Sequence, residues 1–258
     1  MKGDDKRRHT TVSDDKRRQT TAADDKRKQA TTSKNRRRRI VDPVYRRGRY
    51  GRYNRRSVYL RDRFAFHMDA STLLAARAAL LLIDLQKGIH EPKLGRRNNP
   101  DAESHAEALL ASWRRSGRPV VHVRHVSRSP ESVFWPGQPG AAFQDAFSPL
   151  AREHVVEKNV PDAFAATGLA RWLHEHGIAQ LVIAGVITNN SVESTARSAG
   201  NLGFDTIVAG DACFTFDQRD LSGRLWAAED VHALSLSNLA MDYARVLDAA
   251  SIVARLGG

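Results

Sequence analysis

The stretch Leu181-Val182-Ile183-Ala184-Gly185-Val186-Ile187-Thr188-Asn189-Asn190-Ser191-Val192-Glu193-Ser194-Thr195-Ala196-Arg197 decides the fold. Its first part is a short apolar run, the signature of a strand buried on both faces. The polar residues after Ile187 break that run. From Ser191 the spacing predicts a helix over 191–202, with Gly203 as its stop. A buried strand feeding directly into a helix is half of a βαβ unit.

Outward from this stretch the same alternation recurs. Residues 79–85 read as a buried strand. Residues 101–115 carry Ala106, Leu109, Leu110 and Trp113 on one helical face. Strands are predicted at 119–126, 155–157, 180–186 and 205–209, and helices at 169–176 and 227–240, the last long one. Residues 127–149, rich in Pro, Gly and aromatic residues, read as a long loop. Strands alternating with helices predict an α/β domain: doubly wound, with a largely parallel central sheet and helices on both faces.

Three side chains then fall at carboxyl ends of strands, the edge where open α/β sheets bind ligands. Asp84 closes the apolar run 80–83, Lys158 follows Val155-Val156-Glu157, and Ser191 opens the helix after the strand 181–186. A carboxylate there can move a proton, and a neighbouring lysine would favour its ionised form. Each residue also has a plain structural alternative. Asp84 could cap a loop, Lys158 could be a solvated lysine, and Ser191 could be a helix N-cap.

The residues around them tilt the balance. Leu82-Ile83-Asp84-Leu85-Gln86, Lys158-Asn159-Val160-Pro161-Asp162-Ala163-Phe164 and Gly-Val-Ile-Thr-Asn-Asn-Ser-Val-Glu-Ser-Thr-Ala-Arg over 185–197 resemble three motifs of the isochorismatase-like (cysteine) hydrolase superfamily. Residues 75–245 share the resemblance. In that family Asp, Lys and Cys form a catalytic triad, and Ser191 stands where the Cys does. The resemblance implies a hydrolase of small molecules, acting on an amide-type C–N bond or an isochorismate-like vinyl ether. It implies Asp84, Lys158 and Ser191 as the catalytic set. It further implies a cis Val186–Ile187 bond and an oxyanion held by the amides of Ile187 and Ser191. Gln86, Phe134, Trp135, Phe164 and Asn189 are candidates to line the substrate pocket, and a homo-oligomer is expected. No cofactor is implied. Zinc-binding relatives use an Asp-x-His pair, but position 120 is Val, so His122 and His125 are not expected to hold a metal. They lie three apart on a strand and point to opposite faces.

The formal net charge is +12, but it is unevenly placed. Residues 1–67 hold 23 Lys/Arg and 8 Asp/Glu, against 18 and 21 in residues 68–258. The basic excess therefore belongs to the first segment and says nothing about partners of the rest. That segment contains a decapeptide repeat, Asp-Asp-Lys-Arg-Arg at 4–8 and 14–18 and Asp-Asp-Lys-Arg-Lys at 24–28. It lacks large apolar residues in the repeat and is expected to be a disordered basic tail. Nucleic acid could bind there through phosphate contacts and Tyr stacking. It could equally be upstream sequence ahead of a start at Met68. The domain proper is expected over 68–258. With one cysteine, Cys213, there is no intramolecular disulfide framework. No apolar run approaches the roughly 20 residues of a membrane span. A cytoplasmic location and no membrane association are expected, with Cys213 a small core residue. A catalytically weak binding protein on the same scaffold is the competing function.

Overall fold

The computed structural model describes residues 74–256. The basic tail, its possible nucleic-acid contacts and the Met68 boundary lie outside the described residues.

Six strands form one parallel sheet: β1 (Ala79–Ile83), β2 (Val120–His125), β3 (His154–Lys158), β4 (Gln180–Val186), β5 (Asp205–Phe214) and β8 (Arg245–Leu247). Their spatial order is β3-β2-β1-β4-β5-β8. β6 (Gln218–Arg219) and β7 (Leu225–Trp226) make a separate antiparallel hairpin. Every residue of β1 and β4 is buried, which is why both read as unbroken apolar runs. β3 lies at the sheet edge and alternates between exposed and buried positions.

Two apolar layers flank the sheet. On one face α1 (Ala102–Arg115) and α5 (Ala249–Ala254) bury Leu109, Trp113 and Ile252 against Leu80, Leu82 and Val182. The Trp113 indole donates to the Ala78 carbonyl at 2.9 Å, so its polar edge is satisfied inside the core. On the other face α2 (Leu169–Glu175), α3 (Glu193–Asn201) and α4 (Ala228–Asp242) bury Leu173, Ala196 and Leu239 against Leu81, Ile83 and Ile183. The expected doubly wound arrangement is present.

Several elements differ from their sequence reading. β5 runs to Phe214 rather than stopping near 209, and its register against β4 jumps between Ile183↔Val208 and Gly185↔Cys213. The extra residues bulge out, and polar Asp211 within them masks the continuation of the strand. β8 and α5 follow the helix expected to be the last long one; they are three and six residues long, too short for periodicity to reveal. The helix expected from Ser191 begins as a π-helical turn over Thr188–Val192 and becomes α-helical only at Glu193.

Strand order matters for function. Connections from β1 lead to β2 and β3 on one side, while β4, β5 and β8 lie on the other. The crevice between the carboxyl ends of β1 and β4 is the topological switch point, where open α/β sheets take ligands.

Candidate active site

β1 ends at Ile83, and the next residue, Asp84, has φ +52°. This left-handed conformation is uncommon for a residue with a Cβ and clusters at functional sites. Its amide still donates to the Val123 carbonyl at 2.9 Å, so the chain turns without losing its anchor to β2. The Asp84 carboxylate is buried, and Oδ2 accepts a hydrogen bond from Lys158 Nζ at 2.6 Å. Lys158, the last residue of β3, is also buried and donates to Ser191 Oγ at 3.2 Å. One ammonium thus touches both the carboxylate and the hydroxyl. Asp84 and Ser191 cannot be further apart than those two short contacts allow.

This geometry speaks against the plain structural alternatives. Ser191 makes no side-chain cap to the helix; its Oγ faces Lys158 inside the π-helical turn. Asp84 caps neither neighbouring 3-10 turn. Lys158 is not solvated.

Burial pushes the Asp84 carboxyl above its ordinary range; Lys158, the Ser191 hydroxyl and His125 act the other way without cancelling it. Asp84 Oδ1 is buried with no hydrogen-bond partner. A buried acceptor left unpaired is costly, and sites of chemistry are where such atoms persist.

The approach of β4 to β1 depends on one glycine. Gly185 has φ +124°, and a Cβ there would lie 2.2 Å from the Ile83 carbonyl oxygen. The Val186–Ile187 peptide bond is cis. In the turn that follows, the amides of Asn190 and Val192 both donate to the Ile187 carbonyl, at 3.0 and 3.2 Å.

Other expected site residues take different places. Gln86 is buried, but its amide is committed: Nε2 donates to the carbonyls of His125 (3.0 Å) and Ala141 (2.8 Å), and Oε1 accepts from the His125 amide (2.7 Å). It braces β2 against the long loop rather than offering a free polar group. Asn189 accepts from Thr215 Oγ1 at 2.6 Å and donates to Gln218 at 2.7 Å, tying the turn to the end of β5. Phe134 packs beside the His125 ring, 5.9 Å between centroids, close to Lys158. Trp135 is 36% exposed. Phe164 stacks its ring on Phe204, just ahead of the amino end of β5, and packs partly buried against the apolar layer under α2 and α3.

His125 was weighed only as a metal ligand. Its Nδ1 lies 3.5 Å from Lys158 Nζ, and burial, then Lys158, lowers its pKa, which favours the neutral ring beside Lys158. Its place at the carboxyl end of β2, opposite Lys158 in register, was the signal available in the sequence. His122 is fully buried and paired to Glu153 at 2.8 Å. Among the described residues no group of His, Cys, Asp or Glu is arranged to hold a metal. Burial pushes the Cys213 thiol up to about 12, so it is a neutral core group. Among the described residues no helix is long and apolar enough to cross a membrane. A cleft of about 570 Å³, lined by Asn189, Glu193, Trp226, Leu234 and Ser235 among others, lies beside the turn; none of the three central residues lines it.

Comparison with known proteins shows the family and the fold. The family model described as the isochorismatase domain matches residues 78–251. The chain is similar to an uncharacterized isochorismatase family protein of Bacillus subtilis (strain 168), 35% identical over 171 residues, covering 66% of this chain and 91% of that one. It is similar to a maleamate amidohydrolase of Pseudomonas putida, 34% identical over 148 residues, covering 51% of this chain and 70% of that protein. Among solved structures, an isochorismatase-family protein from Chromobacterium violaceum superposes with a TM-score of 0.70 at 47% identity, covering 72% of this chain and 96% of that chain.

Proposed function

The chain belongs to the isochorismatase family of hydrolases, and on that premise we propose that it cleaves an amide-type C–N bond in a small molecule, with Ser191 as nucleophile. The observation that carries this reading is the shared Lys158 contact, which gathers the Asp84 carboxylate and the Ser191 hydroxyl into one buried site.

A serine hydroxyl is a poor nucleophile at neutral pH and depends on a base. Asp84 is that base. Its unpaired Oδ1 is the acceptor, and the Ser191 hydroxyl is already among the groups acting on its pKa. Ser191 Oγ forms a bond to the carbonyl carbon while its proton passes to Asp84. The amides of Ile187 and Ser191 hold the oxyanion. The tetrahedral intermediate then expels the amine, which takes the proton back from Asp84. Water enters, gives a proton to Asp84 and attacks the ester, and Ser191 Oγ leaves with that proton. Lys158 holds the carboxylate in place and lowers the cost of negative charge on Oγ. The similarity to a maleamate amidohydrolase supports the amide class.

The raised pKa of Asp84 favours a second reading. In it a protonated Asp84 delivers its proton to the carbon of a vinyl ether and water adds to the resulting cation, with no covalent step. A panel of amides, vinyl ethers and ureides against wild type, Ser191→Ala, Ser191→Cys and Asp84→Asn separates the two. General acid–base groups contribute about 100- to 10,000-fold. Amide turnover lost in both Ser191→Ala and Asp84→Asn, and kept in Ser191→Cys, supports the nucleophile. Turnover kept in Ser191→Ala but lost in Asp84→Asn supports the second reading. No turnover of any compound supports a binding protein. We further propose a homo-oligomer, which exposed Leu234 and Met241 on α4 support. Light scattering that gives a monomer mass for the full chain would contradict it.

A further inference from the structure

Thr188 follows the cis peptide by one residue and opens the π-helical turn that contains Ser191. Its hydroxyl and its carbonyl both reach α4, the carbonyl while also accepting the Glu193 amide of the turn. Thr188 Oγ1 lies 2.9 Å from His232 Nδ1. The Thr188 carbonyl accepts from Ser235 Oγ at 3.3 Å. His232 and Ser235 are three residues apart and therefore share one face of the helix. Ser235 Oγ also donates to Glu193 Oε2 at 2.6 Å, so its single proton is shared, mainly with the carboxylate, while the hydroxyl touches both ends of the turn.

The other side of the imidazole is anchored too. Asn99, itself at φ +42°, donates to the carbonyls of Cys213 (2.7 Å) and Gly210 (3.3 Å), and its amide nitrogen is 3.4 Å from His232 Nε2. The direction of the Thr188 Oγ1–His232 Nδ1 bond is set by the ring tautomer, and the hydroxyl can serve as either donor or acceptor. Burial lowers the His232 pKa, which favours a neutral ring. The bulge that interrupts β5 thus supplies the fixed point from which the imidazole reaches the turn.

We infer that His232 and Ser235 are positioning residues, a clamp on Thr188 that sets the Ile187 and Ser191 amides for the oxyanion. The inference rests on the proposed function for its catalytic consequence and on the hydrogen-bond geometry alone for the clamp itself. Oxyanion donors act only if they are placed before the charge appears. Loosening the turn therefore lowers the rate of the chemical step more than it weakens binding.

The test uses the full chain and two readouts. The first is amide hydrogen exchange of residues 187–192 without any substrate. His232→Ala and Thr188→Val are expected to speed exchange there about 10-fold or more, with the sheet unchanged. His232→Asn, whose carbonyl oxygen sits near the place of Nδ1, should restore much of the protection. Unchanged exchange in both His232→Ala and Thr188→Val overturns the clamp. The second readout is acylation by p-nitrophenyl acetate. If wild type is not acetylated on Ser191, the proposed function fails and the exchange result alone decides the clamp. If wild type is acetylated, the acylation rate constant should fall about 10- to 100-fold in His232→Ala with little change in half-saturation. The His232→Ala/Thr188→Val double variant should be no slower than the worse single, because the two act as a unit. A rate loss that appears only as a lowered melting temperature, with wild-type acylation by the folded protein, marks a merely structural histidine and overturns the inference.

Discussion

Replacing Lys158 by Met removes one member of a buried ion pair while keeping the length of the side chain. Both partners are 3% exposed and the contact is 2.6 Å, so the Asp84 carboxylate is left without its cation and with no water to replace it. Breaking a buried pair in this way costs about 3–5 kcal/mol, because a charge stays behind uncompensated. In a domain of this size each kcal/mol lowers the melting temperature by about 2–4 °C, so the expected loss is about 6–20 °C. Asp84 has an escape. Its pKa is already raised by burial, and without Lys158 it rises further. A carboxyl whose folded pKa is raised contributes stability that is present below its ordinary value and lost as pH rises through the folded value. The gap between Lys158→Met and wild type should therefore narrow as pH falls from 7 toward 5. The double variant Lys158→Met/Asp84→Asn should recover much of the loss, since it removes the orphaned charge. Differential scanning calorimetry across pH measures all three proteins. A Lys158→Met melting temperature within a degree or two of wild type at pH 7 would refute the buried pair.

Three further outcomes follow from other parts of the fold. Although burial acts to raise it, Glu153 is held down to about 2 by Arg114, the Leu150 amide and His122. Its contribution, about 2–3 kcal/mol, should be present above pH 4.5 and lost as pH falls toward 2; Glu153→Gln should flatten that limb in denaturant titrations. Gly185→Ala forces a Cβ against the Ile83 carbonyl at a φ that side chains avoid, and should cost more than about 3 kcal/mol by chemical denaturation; near-native stability would show that β4 can shift away from β1. For any amide that is turned over, kcat/KM should fall with acidity at a pH above the ordinary aspartate value, because Asp84 must be ionised to act as base. An acidic limb no higher than pH 4 would contradict its assignment.

The sequence revealed the strands that are buried on both faces and the helices with one apolar face, because burial itself writes those patterns. β4 was read with its observed limits, 180–186. The carboxyl-edge rule also brought Asp84, Lys158 and Ser191 to one place, although they are distant along the chain. What escaped was set by tertiary contacts. β8 has three residues, all only partly buried, and no periodicity to detect. The continuation of β5 is disguised by a bulge whose polar residue breaks the apolar run. That the Phe164 ring stacks on Phe204 is a contact between segments far apart in the chain. The segment Glu229–His232 resembles the family, but the contact His232 makes with a turn 44 residues earlier in the chain is not written locally. Gln86 belongs to the Asp-x-Gln pattern after β1, but which backbone groups absorb its amide depends on the path of the long loop.

The central claim is that Ser191 forms a covalent bond to the substrate's acyl carbon. Intact-mass spectrometry with peptide mapping, after brief reaction of the full chain with p-nitrophenyl acetate and an acid quench, tests it directly. The account predicts a single acetyl group on Ser191, absent in Ser191→Ala and much slower to form in Asp84→Asn, where the base is lost. Steady hydrolysis with no adduct on Ser191, or an unchanged rate in Ser191→Ala, would contradict it.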